Sequence, residues 1–471
     1  MHSIKRVLKY FSLLILALLV FYAVARLTVV YRDSQLNGER TPYIQQTTSS
    51  SVIIHWQSLD QTLGTVQITD SAGELLKVTE AVATRLHAVK IAPLQADTVY
   101  HYSVSDDHGK RYADNEWFRT APAPGQTRPT RIWVMGDSGD AGPKLDHVRD
   151  AMLHWTQQHP RTNYPAIDVW ISLGDLAYTS GSDNQFQKSL FDTFPNLLKT
   201  TALWPVYGNH DSRRWTYFRI FDLPEHGEAG GEPSGTESYY SFNYSNLHFV
   251  MLDSESSSTK PGSDMYQWLQ RDLKKNSSAW LVAVFHHPPY SKGTHDSDVN
   301  RGSSASMVAM RENILPLLEA AGVDLVLAGH SHMYERSYLL DCHYGLSSTF
   351  SRRNIVSDGT QHRNAEYLKP LSNTPHAGAV YVVAGSASKV DHGPINHPAM
   401  PVSMLEAGSL VIDIDKNQLT TRFINNKGEV KDTFSITRQA GYQPAYQGCG
   451  GEQEVKAATN HLRWMSGAFP I

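Results

Sequence analysis

The sequence has few cysteines and little net charge, and both shortages narrow the classes of protein that it can encode. Of its 471 residues only Cys342 and Cys449 are cysteines, so a disulfide between them and two unpaired thiols both stay open. The formal net charge is -4. No long run carries charge of one sign, which argues against a nucleic-acid-binding protein with a basic face. No internal repeat is visible.

The remaining composition is that of a globular protein. Hydrophobic residues make up 41% of the chain and charged residues 19%, which excludes a disordered chain. The length of 471 residues suffices for more than one domain and for a large buried core. Histidine occurs 22 times. Because histidine is the commonest metal ligand and the acid or base of neutral pH, its placement matters.

Residues 1–31 are predicted to be a signal peptide or a membrane anchor. Three basic residues within the first nine precede an apolar run, 11–25, that ends in Ala-Val-Ala, as in a cleaved secretory signal. The stretch LTVV after Arg26 lengthens the run towards the roughly 20 residues of a spanning helix, so an uncleaved anchor is the alternative. Both readings place the bulk of the protein outside the cytoplasm, as a periplasmic, secreted or membrane-anchored protein.

Residues 40–121 are predicted to form an N-terminal β-sandwich domain. Short alternating segments with turn signals between them, such as SVIIHWQS, GTVQITD and TVYHYSVSD, are typical of a small all-β domain. Trp56 is placed to point a large ring into its core. The Pro- and Gly-rich stretch APAPGQTRP, residues 121–129, marks the domain boundary.

Residues 128–437 are predicted to form an α/β domain, and residues 438–471 a C-terminal tail without a clear period. Apolar strand-like runs alternate with the helical candidates LDHVRDAMLHWTQQH and MYQWLQRDLKKN, which is the pattern of α/β proteins. SYYSFNYSNLHFVMLD predicts a hairpin, and the last strands are predicted to meet in tight turns at DKN and NKG.

Five apolar runs of this domain end on side chains that bind metals. They are GD at Asp137, GDLAY at Asp175 and Tyr178, GNHD at 208–211, HH at 286–287, and GHSH at 329–332. Loops converge at the carboxyl ends of strands in α/β sheets. One Asp or His after a strand is usually a turn former, a helix cap or a structural residue. Five such ends would require five separate coincidences, so the sequence predicts one shared metal site.

The residue types indicate which metals this site would bind. Oxygen ligands suit hard ions and imidazole suits zinc, iron, manganese or nickel, so a mixed Asp, Asn and His set without cysteine predicts first-row transition metals. The ligands outnumber the needs of one ion. Two ions about 3.5–4 Å apart that share a carboxylate would use them all, which is the usual arrangement for phosphoester cleavage. The glycines before Asp137, Asp175 and His330 are predicted to allow tight turns and to leave room for the metals.

The motifs GD, GDxxY, GNH, HxP and GHxH, in this order, resemble those of the purple acid phosphatases in the calcineurin-like metallophosphoesterase superfamily. Tyr178 and the stretch MYERS after GHSH favour the purple branch, and the segments PYIQ and VIIHW resemble the start of that family's N-terminal domain. The resemblance covers about residues 42–435. It implies a fibronectin III-like β-sandwich followed by a four-layer αββα metallophosphoesterase catalytic domain.

The resemblance also implies two metal ions, Fe3+ with Fe2+, Zn2+ or Mn2+. The first ion would be held by Asp137, Asp175, Tyr178 and His332, and the second by Asp175, Asn209, His286 and His330, with Asp175 as the bridge. In FHHPPY the family pattern HxP makes His286 the ligand and His287 the intervening residue. A phenolate from Tyr178 on ferric iron would give a charge-transfer colour.

Two histidines are implied to act on the substrate rather than on a metal. His210, within GNHD, would face the phosphate, and His295 lies where the family often has another active-site histidine, although SKGTHD differs from the plant pattern. They would stabilise the transferring group and protonate the leaving alkoxide, which is typically worth about 10²–10⁴-fold in rate. Asp211 is a further candidate at the edge of the site.

These expectations describe an acid phosphatase that acts on small phosphate monoesters. Two carboxylates and a phenolate only partly neutralise the charge of a trivalent and a divalent ion. The centre therefore keeps a net positive charge and can accept a phosphate dianion. We expect in-line attack by a metal-held hydroxide without a covalent phospho-enzyme, and no nucleic-acid partner. The alternatives are a phosphodiesterase or nucleotide pyrophosphatase with the same metals, and a non-catalytic surface binding module with a vestigial site.

Overall fold

A computed structural model describes residues 2–34, 38–70, 72–73, 75–213, 215–359 and 364–444. Cys342 is disulfide-bonded. Cys449 and most of the predicted C-terminal tail lie outside the described residues.

The N-terminus is one long helix, α1 (His2–Ser34). Its stretch Lys9–Thr28 spans 20 residues with a mean hydropathy of 2.2, and none of it is buried. A helix of that length extends about 30 Å, the thickness of a bilayer's hydrocarbon core. Signal peptides share this composition near a chain's start, so the helix suits a signal or an anchor, the two alternatives predicted.

Seven antiparallel strands form the N-terminal β-sandwich. They are β1 (Arg40–Gln45), β2 (Val52–Thr62), β3 (Gly64–Thr69), β4 (Leu75–Thr79), β5 (Thr84–Ile91), β6 (Val99–Asp106) and β7 (Arg111–Arg119). One sheet has the order β1-β2-β5 and the other β4-β3-β6-β7. Trp56 is 1% exposed in the core between them and stacks on His87, with ring centres 4.3 Å apart.

Buried ion pairs attach the sandwich to the larger unit. Arg40 Nη2 lies 3.1 Å from Asp183 Oδ1. Arg128, from the segment between the units, contacts Asp97 of the sandwich at 2.7 Å and Asp168 of the larger unit at 2.5 Å. Because removal of one partner leaves an uncompensated buried charge, which typically costs about 3–5 kcal/mol, these pairs hold the two units together.

The larger unit contains fifteen named strands among the described residues. They are β8 (Thr130–Met135), β9 (Val169–Ser172), β10 (Leu203–Pro205), β11 (Tyr240–Tyr244), β12 (Leu247–Leu252), β13 (Trp280–Phe285), β14 (Leu325–Ala328), β15 (Tyr334–Leu340), β16 (Ile355–Ser357), β17 (Ala365–Pro370), β18 (Ala379–Ala384), β19 (Val402–Met404), β20 (Gly408–Asp415), β21 (Gln418–Asn425) and β22 (Val430–Gln439). One sheet has the order β10-β9-β8-β20-β21-β22-β17, and the other β11-β12-β13-β14-β18-β15-β16 with β19 beside β15.

The larger unit also contains seven α-helices among the described residues. Beyond short 3-10 and π-helical turns, they are α2 (Pro143–Gln158), α3 (Asp183–Phe186), α4 (Pro195–Leu198), α5 (Tyr217–Ile220), α6 (Asp264–Lys275), α7 (Ser304–Ala309) and α8 (Leu315–Ala320). Of these helices, α2 packs on the first sheet and α6 and α8 pack on the second. Helices α2 and α6 match the two helical candidates, and β11–β12 is the predicted hairpin.

Two hydrophobic cores hold the helix and sheet layers of the larger unit together. The larger core joins side chains of α2, such as Val148, to side chains from both sheets, such as Val134 and Phe249. The second core lies between the other face of the second sheet and helices α6 and α8, where Trp268 is fully buried. Neighbouring residues of β12 enter different cores, as expected for a strand that is buried on both faces. The predicted αββα architecture is confirmed.

Candidate metal centre

The carboxyl ends of five strands bring the predicted ligands to one place. Strands β8, β9 and β10 run parallel in the first sheet, and β12, β13, β14 and β18 run parallel in the second. Each predicted motif follows the end of β8, β9, β10, β13 or β14 within a few residues. Ligand atoms of Asp137, Asp175 and His286 lie within 4.8 Å of one another, and all three residues are buried.

The tight turns at these ends fall on the candidate ligands themselves. Asp137, Asp175 and His330 have φ values of 57°, 54° and 66°, a left-handed conformation that costs energy for residues other than glycine and is concentrated at functional sites. Gly174 shares the turn with Asp175, since its φ is 90°, whereas Gly136 and Gly329 act by leaving space, which refines the sequence interpretation. A Cβ on Gly329 would lie 2.6 Å from Asp137 Oδ2, and one on Gly208 would overlap Asp175.

A first set of donor atoms comes from three loops. The Tyr178 hydroxyl lies 3.1 Å from Asp137 Oδ1 and 3.0 Å from His332 Nε2, and that nitrogen is 3.4 Å from Asp137 Oδ1. His332 Nδ1 donates to Asp391 Oδ2 at 2.5 Å. Since the proton is on Nδ1 in the neutral ring, Nε2 offers a lone pair to the set.

A second set lies beside the first. Asn209 Oδ1 is 3.1 Å from His286 Nε2 and 3.0 Å from His330 Nδ1. His286 Nε2 is also 3.6 Å from Asp175 Oδ2. His286 Nδ1 donates to the Leu173 carbonyl at 2.7 Å, so its Nε2 also presents a lone pair.

This convergence of acceptor atoms is the feature that fits metal ions. The carboxylate oxygens, the amide oxygen and the imidazole lone pairs of the two donor sets point at one another. All of these atoms carry electron pairs, so they repel one another unless a cation or a proton lies between them. Oxygen and nitrogen donors of these kinds are those of first-row transition metals. The structure thus brings together all seven predicted ligands, Asp137, Asp175, Tyr178, Asn209, His286, His330 and His332.

Burial and the neighbouring charges together determine the protonation of these groups. Burial and the neighbouring histidines hold the pKa of His330 well below its ordinary value. Burial opposes ionisation of Asp137, yet His332, His286 and the backbone NH of His330 together keep its pKa low. A neutral His330 and an ionised Asp137 are the states that metal ligands need. Burial, with Asp137 and Asp175, raises the pKa of Tyr178 far above its usual value, so this phenol would ionise only beside a cation.

His210 lies at the mouth of the site, outside both donor sets. Its Nδ1 donates to the Thr179 carbonyl at 2.8 Å, and its Nε2 is 4.0 Å from Asp175 Oδ2 with a quarter of the side chain exposed (25%). Its ring meets the Tyr178 ring edge to face, with centres 4.7 Å apart. A side chain in this position is fixed in orientation and open to a substrate.

His295 and His287 flank His330 from two directions. The His295 ring stacks on His330 with centres 3.8 Å apart, and burial with the nearby His332 lowers the pKa of His295. His287 is fully buried, its Nδ1 is 2.9 Å from Ser254 Oγ, and burial holds its pKa well below the ordinary value. Ligand atoms of His286, His287 and His330 lie within 4.8 Å of one another, but of the two adjacent histidines it is His286 that contacts Asn209.

Asp211 joins two of the loops without entering either donor set. Its carboxylate accepts from the backbone NH groups of Leu176 at 2.9 Å, Ala177 at 3.2 Å and Gly208 at 3.3 Å. Burial and the charge of Asp175 raise its pKa well above the usual value. Asp211 therefore positions the Asp175 loop against the Asn209 loop.

Two loops at the site were missed by the sequence reasoning. The segment after β18 supplies Lys389 and Asp391, and the segment after β12 supplies Ser254 and Glu255, whose Oε2 is 3.6 Å from His287 Nε2. Both segments follow buried strands, AVYVVA and LHFVML, which are followed by Gly385-Ser386 and by Asp253. The end of LHFVML gives the same signal as the other five ends, whereas Lys389 and Asp391 come five and seven residues after the end of their strand.

Comparisons with known proteins show which proteins the chain resembles. Residues 130–334 match the family model of the calcineurin-like phosphoesterases. Probable purple acid phosphatase 20 of Arabidopsis thaliana is 32% identical over 312 residues, which cover 63% of this chain and 65% of that protein. Purple acid phosphatase 22 of the same plant is 32% identical over 267 residues, which cover 54% of each protein. The chain thus spans less than two thirds of the length of these relatives.

A solved structure supports the same assignment at the level of fold. Purple acid phosphatase PPD1 from yellow lupin (Lupinus luteus) seeds superimposes with a TM-score of 0.67 at 18% identity, covering 86% of this chain and 75% of that one. Residues 130–334 thus resemble the calcineurin-like phosphoesterases, and the resemblance of the chain to the purple acid phosphatases is confirmed.

Proposed function

We propose that the protein is a metal-dependent acid phosphatase that releases phosphate from small phosphate monoesters. The observation that carries this proposal is the convergence of acceptor atoms from five strand ends, with His210 open at the mouth. The relatives that are named purple acid phosphatases support it. Two metal ions would be held by the seven residues Asp137, Asp175, Tyr178, Asn209, His286, His330 and His332, with Asp175 between the two donor sets.

The bound ions would activate water and stabilise the charge on the phosphoryl oxygens. The chain's own residues would bind and orient the substrate. His210, fixed by its bond to the Thr179 carbonyl, would place Nε2 near the leaving oxygen and give it a proton. His295, held by stacking on His330, would contact the phosphoryl group from the other side.

The donor types support iron at the first position. Tyr178 would contribute a hard anionic oxygen beside the carboxylate of Asp137, and hard donors suit a trivalent ion. The second position has imidazole and amide donors from His286, His330 and Asn209, which suit Fe2+, Zn2+ or Mn2+. The proposed cofactors are therefore Fe3+ with one of these divalent ions.

We also propose that the protein works outside the cytoplasm. The exposed apolar stretch Lys9–Thr28 follows basic residues and would act as a cleaved signal or as a retained anchor. We propose domain limits of 40–121 for the β-sandwich and 128–437 for the catalytic domain. The named strands β1–β7 pair among themselves, and the next strand begins at Thr130.

Metal quantification with parallel phosphate-release measurements tests the proposal. We expect about two metal ions per chain and faster turnover of a phosphate monoester than of a diester or a nucleotide pyrophosphate. Asp175→Ala should lose metal and activity together, whereas Asp415→Ala, at the exposed end of β20, should keep both. A faster diester reaction would indicate a phosphodiesterase. A protein without bound metal and without turnover would indicate a surface binding module.

A further inference from the structure

The loop after β18 wraps around the first donor set. Ser388 Oγ donates to the Asp137 carbonyl at 2.5 Å. Three residues further on, Asp391 contacts His332 twice, since its backbone NH donates to the His332 carbonyl at 3.2 Å and its carboxylate accepts from His332 Nδ1 at 2.5 Å. The loop is therefore pinned on both sides of residue 389 to residues of the candidate metal centre.

Lys389 lies between these two anchors, and its ammonium lies over the ring of Tyr178. The distance from Nζ to the ring centre is 3.4 Å, well inside the roughly 6 Å range of cation–π attraction. Lys389 is half-buried and Tyr178 is 7% exposed, so little water separates the charge from the ring. Such contacts strengthen when they are desolvated.

We propose that Lys389 is a positioning residue that sets the electronic energy of Tyr178 when this side chain binds a metal as a phenolate. The inference rests on the proposed function, because it requires a metal at the first donor set. A positive charge against the ring stabilises the electron-rich phenolate. After an electron has moved from the phenolate to a ferric ion, the ring carries less negative charge, so the ammonium stabilises it less. The ammonium therefore raises the energy of the charge-transfer transition and moves the absorption band to shorter wavelength.

The test compares visible spectra of the iron-loaded full-length protein and its variants at equal iron content. Lys389→Met keeps the length of the side chain and removes the charge, and its band should shift to longer wavelength. Lys389→Arg keeps a cation over the ring and should stay close to the wild-type band. Lys90→Met, on an exposed position of β5, is the control and should not move the band. An unshifted band in Lys389→Met would overturn the inference.

The failure of this inference and the failure of the proposed function give different results. Wild-type protein that binds iron but stays colourless would contradict the ferric phenolate of the proposed function. The role of Lys389 would then be decided on the zinc-loaded protein, where the ultraviolet difference band of tyrosinate should shift in Lys389→Met and not in Lys389→Arg. A higher KM with unshifted bands would make Lys389 a substrate contact instead. If Lys389→Met does not fold, Lys389→Gln provides the same comparison.

Discussion

His332 and Asp391 share a hydrogen bond of 2.5 Å between Nδ1 and Oδ2. The carboxylate fixes the proton on Nδ1 and turns the lone pair of Nε2 towards Tyr178 and Asp137. Asp391 is itself about one third exposed (34%), so it acts on the candidate metal centre from the surface. A carboxylate in this position orients a ligand histidine and raises its basicity.

Asp391→Ala should weaken metal binding at the first donor set. Loss of such a partner typically lowers metal affinity by about 10–100-fold. Asp391→Asn keeps an acceptor oxygen but no charge, so its metal affinity should lie between those of Asp391→Ala and the wild type. Equilibrium dialysis with metal analysis measures the affinity. Asp415→Ala, at the exposed end of β20, is the matched control. Equal affinities in Asp391→Ala and wild type would show that His332 does not need this carboxylate.

His210→Ala should keep the metal content and lose rate. His210 is outside both donor sets, and the loss of a proton donor to the leaving oxygen typically costs about 10²–10⁴-fold. The measurement is kcat on a phosphate monoester at equal metal content. His226→Ala provides the comparison, because that histidine side chain is 77% exposed. A fully active His210→Ala variant would contradict the proposed acid role.

Tyr178→Phe should abolish visible absorption in the iron-loaded protein. The substitution removes the hydroxyl that contacts Asp137 and His332 and leaves the ring in its packing. The colour would come from the phenolate–iron bond, so an absorption spectrum at known iron content decides the question. Tyr112→Phe, on β7 of the sandwich, should keep the colour. Colour that persists in Tyr178→Phe would assign the band to another ligand.

The ends of the parallel strands made most of the candidate site predictable. A strand that is buried on both faces reads as an apolar run, and parallel neighbours place their carboxyl ends at one edge. Asp137 and His286 follow such runs within two residues, so their adjacency could be inferred without knowing the path of any loop. The hydrophobic pattern also distinguished the two domains, because its period differs between the β-sandwich and the α/β part of the chain.

The residues that the sequence did not reveal are those whose position depends on a loop's path. Lys389 and Asp391 lie five and seven residues beyond the end of β18 at Ala384, and no periodicity describes that segment. Its course is determined by contacts such as Ser388 with the Asp137 carbonyl. The left-handed backbone of Asp137 was equally hidden, since the glycine before it suggested that the glycine carried the turn.

Glu335 is a buried carboxyl group three residues beyond His332. It is 0% exposed on β15, between β18 and β19. Burial raises its pKa to about 7, and polar groups of Ser291, the Lys292 backbone and Ser403 lower it only in part. Below about pH 4.5 the group is protonated in both the folded and the unfolded chain, so it contributes no pH dependence there.

The free energy of unfolding should therefore fall as the pH rises from about 4.5 to about 7, because the unfolded chain ionises Glu335 and the folded chain does not. The difference in pKa between the folded and the unfolded chain corresponds to a loss of about 3 kcal/mol in the free energy of unfolding. This loss stays constant above about pH 7. Glu335→Gln lacks this loss and should gain stability relative to wild type across the window. Denaturant unfolding of both proteins at pH 4.5 and pH 8, at equal metal content, measures it, with the exposed Glu366→Gln on β17 as control. If Glu335→Gln keeps the wild-type dependence on pH, the carboxyl group does not stay neutral in the folded protein.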